Sequence, residues 1–217
     1  MAGGSQPGGA RGAGAPRAAV VWVSSPAQRP ARLVIQTLIE ALGLKALPRA
    51  GWLRIGIREP ESVAAHSWGV AWLTLVLLPE GLDLRRALIY AVLHDLPEVR
   101  VGDLTPHDRV PPGDKAAAEH RAMAALTIAL PRGDALLSAW EAYEAQRDPE
   151  SRFVRQLDRL DMALQAVAYR RHGPGSLEEF LDSAAMVISD PQLVELLEGL
   201  RRQLQGDDGQ GGEEQGI

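Results

Sequence analysis

With 217 residues, 46% of them hydrophobic, the chain is long enough to bury one substantial core and still carry tails. A net charge of -5 excludes the broad basic surface that a nucleic-acid backbone demands, so no nucleic-acid partner is expected, while a local pocket for one phosphate stays open. The absence of cysteine rules out disulfides, thiolate metal sites and thiol nucleophiles, and suits a cytoplasmic protein.

Residues 1–32 hold Arg11, Arg17, Arg29 and Arg32 and no acid, amid Gly, Ala and Pro. This composition matches either a transit peptide or a disordered leader, and a leader over residues 1–30 is the expectation. From Ala31, the residues Leu33, Ile35, Leu38, Ile39 and Leu42 trace an apolar helical face that Gly43 stops. Residues 44–60 then read as an ordered loop, because Pro48, Gly51, Gly56 and Pro60 break any long element. That loop carries Arg49, Trp52, Arg54 and Arg58. Such residues are ordinarily solvated charge with one packing anchor; the alternative is a mouth that grips an anion and a flat ring.

A helix of about 18 residues starting at Pro60 is predicted next, with Val63, His66, Val70, Leu73 and Leu77 on its buried stripe. His66 stands where an aliphatic residue belongs. Alone it reads as a satisfied core histidine, and it becomes a ligand only if others converge on it. The apolar run 68–78 falls short of the 18 residues a membrane span needs, so it is read as a core helix and no membrane partner is expected.

After a short turn, a helix over 83–96 is predicted, with Asp83 as N-cap. The short connection makes it an antiparallel neighbour of the preceding helix, which brings His66 and His94 to one level. Residues 87–93 are apolar on nearly every side, so this helix delivers His94 and Asp95 together into the interior. Ionised groups are costly to bury without compensation, and a metal ion is the simplest one. Pro97 should kink or end the helix; if a helical turn persists beyond it, Glu98 shares the face of His94.

The remaining pattern predicts helices over 114–130, 132–146, 149–169, 176–188 and 190–204, the third stopped by His172-Gly173-Pro174-Gly175. His120 reads as a surface or half-buried residue. Asp158 and Asp161 lie three apart against the stripe of Val154, Leu157 and Leu164. They would repel each other unless one met a cation, or unless one were a surface residue paired with Arg155 or Arg159. No repeat, strand pattern or glycine-rich phosphate loop is present. The expected architecture is an all-α bundle over 31–205, followed by a disordered acidic tail over 206–217.

His66, His94, Asp95 and Asp158 come from three predicted helices, and their mixed nitrogen and oxygen ligation suits a divalent ion such as Mn, Co, Mg, Zn or Fe. A His, a His-Asp pair about 28 residues later and a further Asp resemble the HD-domain metal-dependent phosphohydrolases. Pro60-Glu61-Ser62-Val63, Glu98 with Gly102-Asp103, Trp140-Glu141-Ala142-Tyr143-Glu144 and Phe153-Val154-Arg155-Gln156-Leu157-Asp158 narrow the resemblance to the 5'-deoxynucleotidase branch. It covers residues 33–168.

The resemblance implies an all-helical HD-domain fold, a homodimer, and removal of phosphate from deoxyribonucleoside 5'-monophosphates with a divalent cation. It implies metal ligation by His66, His94, Asp95 and Asp158, and handling of the attacking water by Glu98 with Asp95. It implies Asp103 near the deoxyribose or a second cation, the latter sited on Glu98, Asp103 and the Leu104 carbonyl. It implies Arg49 on the phosphate and Trp52 beside the sugar. One departure stands out: Ala64-Ala65 precede His66 where an acidic residue is usual, which predicts a weakened or altered metal site. His107, near the expected mouth, is read as a solvated loop residue. Rival readings are a deoxynucleoside triphosphate hydrolase, a phosphodiesterase, or a nucleotide-binding regulator without catalysis.

Overall fold

A computed structural model describes residues 30–170 and 177–206. The expected leader before Pro30, the helix stop at His172-Gly173-Pro174-Gly175 and the acidic tail after Gly206 lie outside the described residues. Among the described residues the architecture is the expected all-α bundle, and the only extended pairing is an isolated antiparallel bridge between Pro48 and Ser62. No described helix is long and apolar enough to cross a membrane.

Helix α1 (Ala31–Ala41) runs into a 3-10 turn, Leu42–Lys45. The segment expected to be a loop holds a short helix, α2 (Ala50–Arg54), whose chain reverses at Gly56 with φ 89. A positive φ there strains any residue with a Cβ, so this glycine lets Ile57 N bond the Trp52 carbonyl at 3.0 Å and close the turn. The segment is fastened at its far end by two backbone bonds, Arg49 N to Glu61 O and Val63 N to Leu47 O, at 3.0 and 2.9 Å.

Helix α3 (Val63–Leu77) starts three residues later than predicted, because Ser62 caps it: its hydroxyl accepts Ala65 N at 3.2 Å. The reading of 68–78 as a core element holds on one side only. Val63, His66, Val70 and Thr74 are buried, while Trp68 is 70% and Trp72 52% exposed, together with Leu75 and Val76. Helix α4 (Leu84–Leu93) begins at the predicted cap, with Asp83 Oδ1 accepting Arg86 N, and packs along α3.

Pro97 has no N–H to continue the helix. The chain responds by tightening: Leu96 N bonds Leu93 O and Glu98 N bonds Asp95 O, each at 3.0 Å, before α5 (Glu98–Val101) restarts. Helix α6 (Pro112–Thr127) and α7 (Gly133–Glu144) pack together beyond it, α7 also against α4.

The spine of the core is α8 (Pro149–Tyr169), which packs on α3 and α4 through Phe153, Val154, Leu157, Leu160 and Ala163. Helices α9 (Glu178–Ala185) and α10 (Pro191–Gly206) close its other side. At the start of α8, Asp148 and Ser151 cap one another, and Pro149 occupies a position whose N–H has no helical partner. Asp148 also accepts the Tyr90 hydroxyl at 2.6 Å and Arg86 at 3.3 Å, which ties α8 to α4. Replacing Asp148 by Ala removes the cap and this tie together, with an expected loss of about 2 kcal/mol in urea unfolding at unchanged m-value.

Candidate active site

Four side chains converge where α3, α4 and α8 meet. His66 is buried on α3, and His94 is buried at the C-cap of α4, where the Trp140 indole N–H holds its carbonyl at 3.2 Å. Their Nε2 atoms stand 3.3 Å apart. Asp158 Oδ1, from α8, lies 3.2 Å from His66 Nε2, and Asp95 Oδ2 lies 3.6 and 3.2 Å from the two imidazole nitrogens. The antiparallel packing inferred from the short connection thus brings the two histidines to one level.

The outer nitrogens decide what this cluster can hold. His94 Nδ1 lies 2.9 Å from the Ala91 carbonyl and His66 Nδ1 lies 2.7 Å from Asp161 Oδ2. Both partners accept, so each Nδ1 carries the hydrogen and each Nε2 points a lone pair inward. Two lone pairs at 3.3 Å repel unless a proton or a cation lies between them. Five carboxylates, Asp95, Glu98, Asp103, Asp158 and Asp161, surround the cluster and outnumber the nearby cations of Arg49, Lys115 and Arg159. Imidazole nitrogen, carboxylate oxygen and an excess of negative charge fit a divalent cation, with ligand atoms of His66, His94 and Asp158 within 4.8 Å of one another.

Asp95 and Asp158 of this cluster line a cleft of about 480 Å3, a size that takes a small molecule, while both imidazoles are buried beside them. Glu98 lines it, 5% exposed, with Oε2 bonded to nothing in the protein. Arg49 reaches in from the start of α2, with NH1 3.4 Å from Asp95 and Nε 3.9 Å from Asp103. Asp103 accepts the Ala50 backbone N–H at 2.7 Å, and the Leu104 carbonyl accepts Lys115 Nζ at 2.9 Å. Trp52 touches the cleft but is 1% exposed: its ring packs on Phe180 and its N–H donates to Glu61 at 3.0 Å. His107 is exposed at the mouth. His120 is exposed too, and bonds Glu141 at 2.9 Å.

The alternative of a surface aspartate fails, and the missing acid before His66 has a counterpart elsewhere in the fold. Neither Asp158 nor Asp161 is a surface residue; each side chain is 14% exposed, and they flank opposite nitrogens of His66. Nor does His66 lack a supporting carboxylate for want of an acid before it, because Asp161 supplies one from another helix. Asp161 and Lys115 are residues of the site that local sequence pattern did not single out as functional. The spacing Asp158-x-x-Asp161 on a buried stripe was the available signal for the first; for Lys115 there was none.

An HD domain family model matches residues 42–198. A 5'-deoxynucleotidase HDDC2 from Bos taurus is 39% identical over 82% of this chain and 89% of its own length. Its Homo sapiens counterpart is 37% identical over 78% and 85%. The chain belongs to the HD-domain 5'-deoxynucleotidase family. Among solved structures, PH0347 protein from Pyrococcus horikoshii OT3 superposes with a TM-score of 0.66 at 32% identity, over 78% of this chain and 99% of that one.

Electrostatics in this HD domain follow from the crowding of carboxylates. Burial and Arg49 oppose protonation of His66, but Asp158 and Asp161 outweigh them and raise its pKa to about 9. Burial would also raise Asp95 and Asp158, yet the two histidines, with Arg49 at Asp95 and Arg159 at Asp158, hold both well below the usual carboxylate range. At Glu98, burial first, then repulsion from Asp95 and Asp103, outweighs the attraction of Arg49 and Lys115 and pushes the pKa up to about 10.

Between its ordinary value of 4.5 and about 10, folded cation-free protein keeps the Glu98 proton while the unfolded chain releases it. Stability therefore falls as pH rises through that window. Glu98→Gln removes the penalty. Melting curves of metal-stripped protein should match wild type at pH 4 and show a higher melting temperature for the variant at pH 8; equal curves at both pH values would contradict this.

Proposed function

We propose that this HD-domain protein hydrolyses deoxyribonucleoside 5'-monophosphates to deoxynucleoside and inorganic phosphate, as the names of its 5'-deoxynucleotidase relatives indicate for them. The observation that carries the reading is the convergence of two buried imidazole Nε2 atoms with Asp95 and Asp158, the two carboxylates lining a cleft that Arg49 enters. His66, His94, Asp95 and Asp158 would hold one divalent cation, of Mn, Co, Mg, Zn or Fe. When bound, the cation lowers the pKa of water, favours ionised Glu98 and neutralises phosphate charge.

The chain's own groups do the rest. Glu98, with Asp95 beside it, orients the attacking water and takes its proton. The water oxygen forms a bond to phosphorus as the bond from phosphorus to the 5' oxygen breaks, and the departing 5' oxygen takes up a proton from solvent to give the deoxynucleoside. Arg49 donates to the phosphate oxygens that gain charge, exchanging its weak 3.4 Å contact with Asp95 for a charge-assisted pair. Asp103, fixed by Ala50 N, faces the deoxyribose. The Trp52 indole N–H is already engaged by Glu61, so the ring offers the sugar apolar contact, and a 2' hydroxyl against it loses hydration without gaining a partner. Glu98, Asp103 and the Leu104 carbonyl would hold a second cation, beside the Lys115 ammonium that the Leu104 carbonyl already accepts.

We also propose a homodimer built on the outer face of α3, where Trp68, Trp72, Leu75 and Val76 leave an apolar stripe in solvent. Trp68→Glu with Trp72→Glu should convert a dimer into a monomer in sedimentation velocity; a monomeric wild type would end that reading.

Metal-stripped protein re-supplied separately with Mn, Co, Mg or Zn should release phosphate from dAMP, dGMP, dCMP and dTMP but not from AMP, and only with metal. Asp95→Ala and Asp158→Ala should abolish metal binding and turnover, and Arg49→Ala should lower kcat/KM by about 10²-fold. Release of triphosphate from deoxynucleoside triphosphates, or opening of a cyclic nucleotide, with silence on monophosphates would replace the proposal.

A further inference from the structure

The two imidazoles at the centre of the site are held differently. His94 donates through Nδ1 to a neutral acceptor, the Ala91 carbonyl one turn earlier on its own helix. His66 donates to a carboxylate from a different helix, Asp161 Oδ2, at 2.7 Å. Asp158 and Asp161 lie one turn apart on α8, and between them they engage both ring nitrogens of His66: Asp158 Oδ1 at Nε2, Asp161 Oδ2 at Nδ1.

The second contact depends on a small residue. Gly69 lies one turn beyond His66 on α3, opposite Asp161. A Cβ built there overlaps Asp161 Oδ1 and comes within 2.9 Å of Cγ, so any side chain at 69 evicts the carboxylate from its present place. What holds the Asp161 carboxylate there is its bond to His66. Carboxylate, imidazole and the inward Nε2 thus form one line running from α8 through α3 into the site.

We infer that Asp161 is a positioning residue that works through His66: seated in the space left by Gly69, it fixes the ring with Nδ1–H outward and makes Nε2 the stronger donor to the cation. A negative acceptor on Nδ1 raises the basicity of the opposite nitrogen more than a carbonyl does, and outer partners of this kind carry about 10- to 100-fold in metal affinity. The inference rests on the metal-site reading above. It also assigns His66 rather than His94 as the ligand whose strength the protein sets from a distance.

The test is metal affinity, measured by isothermal titration of metal-stripped protein with Zn and with Mn and checked by chelator competition. Asp161→Ala should weaken binding by about 10- to 100-fold. Asp161→Asn, whose amide oxygen still accepts from Nδ1 but carries no charge, should fall between that variant and wild type. Gly69→Ala keeps the carboxylate but displaces it, so it should weaken binding in the wild-type background and add little in Asp161→Ala. In zinc-loaded, 15N-labelled protein the His66 Nδ1–H resonance should be protected from exchange in wild type and exposed in Asp161→Ala, which separates loss of this bond from general loosening. Equal affinity of wild type, Asp161→Ala and Gly69→Ala would overturn the inference and leave the metal site standing. Loss of a second bound ion in Asp161→Ala, with the first unchanged, would also overturn it, making Asp161 a ligand with Glu61 and His66. A wild type that binds no divalent cation would overturn both readings.

Discussion

Packing α3 against α4 with α8 laid across both forces two buried imidazoles and a ring of largely buried carboxylates into one small space. Everything else at the site answers that constraint. The histidines are oriented by acceptors on their outer nitrogens, so their inner lone pairs confront one another at 3.3 Å. Asp95 and Asp158 are held ionised by the same histidines whose pKa they raise. A divalent ion resolves both the lone-pair repulsion and the surplus of negative charge, and this is why the arrangement is worth its cost in buried polarity.

The cleft is completed by segments that are irregular for identifiable reasons. Pro97 interrupts the hydrogen-bond ladder just after His94 and Asp95, and the tightened turn that follows carries Glu98 into the cleft rather than along a continuing helix. Residues 46–62 are strapped to the beginning of α3 by the bridge between Pro48 and Ser62. That strap sets Arg49 beside Asp95 and Asp103, and it lets the α2 backbone hold Asp103 through Ala50 N. Arg49 and Glu98, the proposed phosphate-binding charge and water-handling acid, thus approach the two histidines, Asp95 and Asp158 from separate segments of the chain.

Trp52 shows how a residue can serve both core and cleft. Its ring is enclosed by Phe180 and Tyr169, and its N–H is engaged by Glu61, whose own backbone N–H donates to the Tyr169 hydroxyl at 2.7 Å. The result is a rigid apolar wall and not a hydrogen-bonding one. On the proposed function, selectivity for a sugar lacking a 2' hydroxyl would follow from such a wall, because an added hydroxyl would meet no acceptor there.

The chain's residues determined much of this on their own. Helical periodicity, the cap at Asp83 and the proline and glycine breaks specified the all-α class, and the short turn between two apolar helices specified their antiparallel pairing and the level of His66 with His94. The residue types His66, His94, Asp95 and Asp158 pointed to a candidate divalent-cation site, since histidine and aspartate driven together into an apolar interior need a compensating charge. Local pattern failed where a position is settled by a partner distant in sequence. It left one of Asp158 and Asp161 free to lie on the surface, because helical spacing does not say that Gly69 opens room on α3 for a carboxylate far along the chain on α8. It read 44–60 as loop, because α2 is too short to nucleate alone and is held by its tethers to Glu61 and Asp103 and by the packing of Trp52 on Phe180 and Tyr169. It left Lys115 unmarked, because a helical lysine carries no sign that the Leu104 carbonyl waits 11 residues earlier in the chain. Periodicity and capping act over a few residues and are written locally; ligand support, charge balance and the shape of the cleft arise between helices, and only their packing decides them.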